Sequence, residues 1–228
     1  MPRIYQLSRT GLKILYKIRH HRGHGIHSPF VFNLINKVIE EKTPYSAYDD
    51  IKAHIDNCFF DNRPQLNKFN LLSFRLVNYF DAKRILEIGS GNGVNTICLT
   101  APSNLTECIC IETSPRKSAL AQKVIANWER NIKLYTGRIS DMTEKQDCIF
   151  INLDNYNDLN EVFIEKLCDL SHENTFIVIK GIRTNKRHQA LWKRIKNIES
   201  RTAVLDLFNI GIVFFDKKLY RWNYQISF

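Results

Sequence analysis

The chain has 228 residues, 44% of them hydrophobic with 14 Phe and 9 Tyr, and a formal net charge of +10. That length suits one α/β domain with an appendage, or two small domains, and supplies the apolar residues for a large core. No internal repeat or low-complexity segment occurs, and no apolar run approaches the ~20 residues that span a bilayer.

The charge is uneven. No acid precedes Glu40, whereas Arg3, Arg9, Lys13, Lys17, Arg19, Arg22 and Lys37 all lie before it. A basic arm suits an anionic partner: nucleic acid, phospholipid headgroups or a phosphorylated substrate. The alternative is a solvated basic helix face. An acid-free, Arg-rich start also matches a transit peptide in composition, but the arm continues into the fold. The cysteines are Cys58, Cys98, Cys108, Cys110, Cys148 and Cys168, mostly inside apolar runs, where a thiol behaves as a small hydrophobe. With no secretory h-region, they imply a reducing, cytoplasmic setting.

In chain order, residues 4–18 carry apolar positions at mostly helical spacing. The stretch 20–30 holds two glycines and a proline, and reads as a loop. Ser28-Pro29 then opens a helix as N-cap and first helical residue. Four histidines stand within this loop, without a nearby carboxylate or thiolate and without one-face helical spacing. A loop that folds over a ligand, or a polar surface loop, is the preferred reading over a metal site. Helices are expected over 45–60 and 66–80, with a break at 61–64. The chain therefore divides into an N-terminal basic helical cap, 1–65, and an α/β domain, 66–228.

From Lys83 the pattern alternates between short apolar runs and amphipathic ones. Strands are expected at 84–88, 107–111, 132–135, 147–153, 175–179, 202–207 and 212–215. Helices are expected at 94–100, 115–130, 159–170 and 187–198. Repeated βα units imply a parallel, doubly wound sheet with right-handed crossovers. The last two strands have no helix between them, so they pair antiparallel through a turn at Asn209-Ile210-Gly211. The expectation is a Rossmann-like seven-stranded sheet that ends in an antiparallel hairpin, followed by an extended run over 219–228.

The chemistry centres on Glu87-Ile88-Gly89-Ser90-Gly91-Asn92-Gly93. Strand, glycine-rich turn and helix hold a nucleotide-like ligand beyond the carboxyl end of a strand. A dinucleotide turn needs glycines at the first, third and sixth positions, and the sixth here is Val94, so the NAD fingerprint fails. Glu87 closes a buried strand, where an unpaired carboxylate is costly. Either a cationic or hydrogen-bonding ligand, or amides of the turn, must satisfy it. Glu112 ends the second strand about 20 residues past the turn, which suits a ribose diol. The alternative is an acid capping the next helix, a role Ser114 fills better.

These residues resemble the class I S-adenosylmethionine-dependent methyltransferases, over roughly residues 66–228. The stretches His24-Gly25-Ile26-His27-Ser28-Pro29-Phe30 and 205–215 also resemble a bacterial group of that family. The resemblance implies S-adenosylmethionine as cofactor. Glu87 and the glycines would hold its methionine part, Glu112 its ribose, and the turn Gly137-Arg138-Ile139 would edge the adenine. Arg138 stands where many relatives carry an acid. The implied cofactor set is Glu87, Gly89, Ser90, Gly91, Asn92, Gly93, Glu112, Thr113, Arg138 and Ile139, with His24, His27 and Ser28 as a substrate loop.

Asp154 stands in the position of a metal-binding aspartate of catechol-type O-methyltransferases, to which the chain is distantly similar. Where those proteins place further oxygen ligands, this sequence has Lys180 and Gly181. An ammonium cannot ligate a cation. The expectation is therefore no catalytic metal, with Lys180 paired to Asp154 and acting as a point charge near the acceptor, or the two forming a structural ion pair. The segment Asn152 to Tyr156 has no proline, against an amino-methylating loop for bases. No cysteine is placed for attack on a pyrimidine. The reading that results is methyl transfer to a small molecule. The alternatives are a non-catalytic binding protein on the same fold and an RNA methyltransferase that uses the basic arm.

Overall fold

The computed structural model of the chain describes residues 27–59, 63–160 and 162–228. The basic arm and most of the histidine loop, His24 included, lie outside the described residues. Among those residues, no helix is long and apolar enough to cross a membrane.

Helix α1 (Pro29–Leu34) starts as Ser28-Pro29 requires: the Ser28 hydroxyl accepts the Val31 amide at 3.4 Å. It runs on into a single π-turn, Ile35–Ile39. The carbonyls at the end of that turn have no helical partners. Arg75, itself buried, reaches across to donate to Val38 O at 2.6 Å and Ile39 O at 3.4 Å. Helix α2 (Ala47–Cys58) buries Ile51 and Ile55. Helix α3 (Lys68–Phe80) begins with a capping box, in which Asn67 and Asn70 exchange side-chain and backbone bonds, and stops at Asp81 in the left-handed region. Its buried residues run almost all round, because the sheet covers one side and the N-terminal helices the other.

The sheet is built from β1 (Arg84–Ile88), β2 (Glu107–Ile111), β3 (Asn131–Tyr135), β4 (Gln146–Asn152), β5 (Ser171–Lys180), β6 (Ala203–Asp206), β7 (Ile210–Phe214) and β8 (Trp222–Gln225). Helices α4 (Val94–Thr100), α5 (Pro115–Ile125), α6 (Val162–Asp169) and α7 (Lys186–Ile195) connect them; a short 3-10 turn, Ile139–Asp141, takes the place of a helix between β3 and β4. The strand order is β3-β2-β1-β4-β5-β7-β6-β8. The first five strands are parallel, and β7 inserts antiparallel between β5 and β6. This is the expected doubly wound sheet with its antiparallel hairpin. The closing extended run contributes an eighth strand, parallel to β6.

The alternation of strand side chains makes two cores. One face carries Ile85, Cys108, Cys148, Phe150, Phe176 and Val178 against α1 and α3. The other carries Leu86, Ile88, Ile149, Ile151, Ile177 and Ile179 against α6 and α7. All six cysteines are free thiols, and four of them are buried.

One expected turn is relocated. The chain reverses at Phe208, which adopts φ 70°, and the Asp206 carboxylate accepts the Phe208 amide at 3.0 Å. Gly211 lies inside β7. A side chain there would collide with the Trp192 ring, so glycine serves the packing of α7 on the sheet, not the turn. Asp206 is buried and also accepts a bidentate pair from Arg183 at 2.7 and 2.8 Å, and the Trp192 indole at 3.1 Å.

Candidate active site

The carboxyl ends of β1, β4 and β5 and the first turns of α5 face the first turn of α3, and a cleft of about 420 Å³ opens between them. Ser90, Gly91, Asn92, Asp154 and Lys180 line it together with Asn67, Phe69, Asn70, Asn95, Lys117, Asn152 and Asn155. Parallel sheets place ligands at this edge because loops diverge there around the switch in strand order.

The glycine turn has the shape that its composition demands. Gly89, Gly91 and Gly93 adopt φ values of 78°, 65° and 82°, a region other residues enter at a cost. The turn is pinned from both sides. Gly89 donates to Ile111 O at 2.7 Å, and Asn155 donates to Gly89 O at 3.1 Å. Asn155 in turn accepts the Lys117 ammonium at 2.9 Å. A side chain on Gly91 would meet the Asn155 amide at 2.5 Å. The loop after β4 therefore sits directly on the turn after β1.

The two acids lie beneath this surface. Glu87 accepts from Asn95 at 2.9 Å and from the Thr96 hydroxyl at 2.5 Å. Burial pushes its carboxyl above the usual range, against the pull of those two bonds and of the nearby Cys110 thiol. Asn95 also accepts from Asn70 at 3.1 Å, so a polar chain runs from Glu87 up to the cleft wall on α3. Sequence reasoning offered turn amides as Glu87's internal partners; the partners are side chains on α4 instead. Glu112 is fully buried and accepts two backbone amides, Gly91 at 2.7 Å and Ser114 at 2.9 Å. Ser114 caps α5 as expected.

One buried polar atom lacks a partner here. The Ser90 hydroxyl, itself shielded from solvent on a residue 4% exposed, has no hydrogen-bond partner among the described residues, and Ser90 is one of the residues that line the cleft. Such a group is costly unless something outside the chain completes it.

Lys180 and Asp154 share the cleft wall but do not form the expected pair. The Lys180 ammonium sits 5.3 Å from the centroid of the Phe69 ring. Asp154 accepts the Thr184 hydroxyl at 2.9 Å. The reason is Gly181, at φ 88°, which turns the chain so that residues 181–184 wrap Asp154 while Lys180, still on β5, projects toward α3.

Other expected residues lie elsewhere. Thr113 is exposed, Ile139 is buried with the α6 and α7 core, and none of Thr113, Arg138 and Ile139 is among the cleft walls. The Arg138 side chain, 75% exposed, turns outward to Asp158 at 3.7 Å. The described part of the histidine loop is at the wrong end for a substrate loop. Ser28 is engaged as a helix cap, His27 is exposed, and Phe30 packs on Phe80 and Phe214, with centroids 6.3 and 5.1 Å away. Phe80 ends α3, whereas the cleft lies at its start, ~15 Å away at 1.5 Å per residue. Aromatic burial anchors this segment beside a second cavity of about 280 Å³, at the amino end of β5.

Among the described residues, no group of three His, Cys, Asp or Glu stands close enough to hold a metal ion. Sequence reasoning missed Lys117, Asn70, Asn95 and Phe69. Asn67 and Asn70, spaced as a capping box, carried the one signal that α3 begins at a polar surface.

No protein-family model matches the chain, and no curated protein matches it in sequence. Solved structures do match it in fold. A methyltransferase from Podospora anserina bound to S-adenosylhomocysteine shares 16% identity at a TM-score of 0.58, over 77% of this chain and 90% of its own. An O-methyltransferase from Bacillus cereus, also in complex with S-adenosylhomocysteine, shares 20% identity at a TM-score of 0.54, over 81% and 97%. TomG, an O-methyltransferase of Streptomyces achromogenes in complex with S-adenosylmethionine, shares 18% at 0.52, over 76% and 91%. The chain has the Rossmann-like fold of the S-adenosylmethionine-dependent methyltransferases.

Proposed function

We propose that this chain is an S-adenosylmethionine-dependent methyltransferase that acts on a small-molecule nucleophile without a divalent metal. The observation that carries the reading is the buried Ser90 hydroxyl, without a partner among the described residues, on a residue that lines a cleft built on the left-handed glycine turn. A left-handed turn that presents Ser90, Gly91 and Asn92 to the cleft, and an unmet hydrogen bond within it, both fit an adenosyl amino acid lying on it. When bound, S-adenosylmethionine supplies an electrophilic methyl group on a sulfonium.

The chain's own residues do the positioning. The turn Gly89 to Gly93 and Ser90 hold the methionine end, with Glu87 acting through Asn95 and Asn70. Glu112, the expected ribose partner, is fully buried and is not among the cleft walls; it acts through the Gly91 amide, which it holds in the turn, and its remaining carboxylate lone pairs would meet a ribose only where the ligand displaces that cover. Alignment of the reactants is the main requirement of such a transfer. Lys180 provides the positive charge on the acceptor side, and Asp154, fixed by Thr184, closes that wall. The fold neighbours described as O-methyltransferases support the reaction class.

Calorimetric titration with S-adenosylmethionine tests the reading: saturable 1:1 binding is expected. Its absence would leave a binding protein on the same fold. Methyl transfer that stops on chelation would remove the metal-free part.

A further inference from the structure

The titratable side chains that line the cleft, among the described residues, are Lys117, Asp154 and Lys180; no His, Cys or Tyr is among them. Lys117 is held by Asn155, and Asp154 by Thr184. Lys180 faces a phenyl ring in place of a carboxylate, and among the described residues no acid lies within ion-pair distance of it. A ring face orients an ammonium without cancelling its charge. The acceptor side of the cleft thus presents a positioned cation that the fold leaves unneutralised.

We infer that the methyl acceptor is a small oxyanion, a carboxylate or an ionised acidic phenol, with Lys180 as its counter-ion. This rests on the methyltransferase reading above. A neutral alcohol must lose a proton on methylation, and the one carboxylate in these walls, Asp154, is already engaged by the Thr184 hydroxyl. An amine would take the sulfonium's positive charge onto its own nitrogen, beside Lys180, and like charges in a partly desolvated site oppose each other. An oxyanion arrives with its lone pair free. Its O–C bond forms as the C–S bond of the donor breaks, with that electron pair staying on sulfur. One negative and one positive charge vanish together, and no proton moves.

The test is a titration of the full chain with benzoate, 4-nitrophenolate, benzyl alcohol and benzylamine, with and without S-adenosylhomocysteine. The two anions are expected to bind at least 10-fold more tightly than the alcohol and the amine. Lys180→Met should erase that difference, and Lys180→Arg, which keeps the charge but cannot act as a base, should retain it. With S-adenosylmethionine, the anions should be methylated and the Arg variant should keep activity within about tenfold. Anion binding that is absent, or no tighter than amine binding, overturns the inference. So does an Arg variant as deficient as the Met variant. Thermal unfolding of both variants verifies that each is folded. Failure of S-adenosylhomocysteine to bind would overturn the methyltransferase reading by itself, since the anion preference is measured without it as well.

Discussion

The Glu112 carboxylate accepts the amide of Gly91 at 2.7 Å, which ties the end of β2 to the middle of the glycine turn after β1. The bond fixes the turn's shape, and Gly91 meets that shape at φ 65° with Asn155 pressed against it. Acid, glycine and asparagine form one unit, so a change at any of them should be felt at the others.

Gly91→Ala tests this directly. A methyl group there meets the Asn155 amide at 2.5 Å, and the left-handed backbone adds strain of ~1 kcal/mol. Asn155 can yield only by releasing Gly89 or Lys117. Calorimetry should show loss of S-adenosylmethionine binding of tenfold or more, while the melting temperature falls by only a few degrees. Unchanged affinity would separate the turn from the ligand.

Glu112→Gln should be more damaging than its small change suggests. Both oxygens of Glu112 accept backbone amides, and those amides cannot reverse their roles. One N–H of the glutamine would face another N–H in a fully buried site, at about 1–3 kcal/mol. Urea denaturation should register that loss, together with weaker cofactor binding.

The same substitution at Glu87 should behave oppositely, and pH should reveal why. One of its partners is the Thr96 hydroxyl, which can turn to accept from glutamine. Burial, the largest influence, raises the Glu87 carboxyl above 4.5. A raised acid favours the folded state below its unfolded pKa, and that contribution is lost as pH climbs through the folded value. Glu87→Gln removes the titration, so its stability relative to the parent should be level at pH below 4.5 and improve as pH rises above that value. A difference that stays flat with pH would show that Glu87 does not titrate in that range. Asp147 has the reverse sign. Burial would raise it, but the Arg84 and Lys83 amides and His172 outweigh burial and lower it, so its contribution is lost only as pH falls through its depressed value.

Much of the fold was legible because it rests on local signals. The alternation from Lys83 onward gave the parallel sheet, Ser28 and Ser114 gave helix starts, and the missing helix between 207 and 210 gave the hairpin. The eighth strand was harder, since Trp222 to Gln225 is mostly exposed and carries little apolar alternation. At the cleft, position along the chain singled out Ser90, Gly91, Asn92, Asp154 and Lys180, and these residues line it. The partners of Lys180 and Asp154 were not legible, because the positive φ of Gly181 redirects the loop and the ring under Lys180 comes from a helix 111 residues earlier. The Ser28 assignment failed for a related reason: Phe30 is drawn to an aromatic cluster at the other end of the sheet, and tertiary packing overrode a sequence likeness.

Ser90→Ala separates a hydroxyl aimed at a ligand from one that serves the fold. A buried hydroxyl with no partner destabilises the free protein, so its removal should leave stability unchanged or raise it slightly. If that hydroxyl completes its hydrogen bond on S-adenosylmethionine, the same change should weaken binding several-fold, consistent with a net hydrogen bond of about 1 kcal/mol. The two measurements therefore move in opposite directions, melting temperature up or level and affinity down. A mutant that loses stability while keeping its affinity would assign Ser90 to the architecture of the turn alone, and would remove the observation on which the cofactor reading most depends.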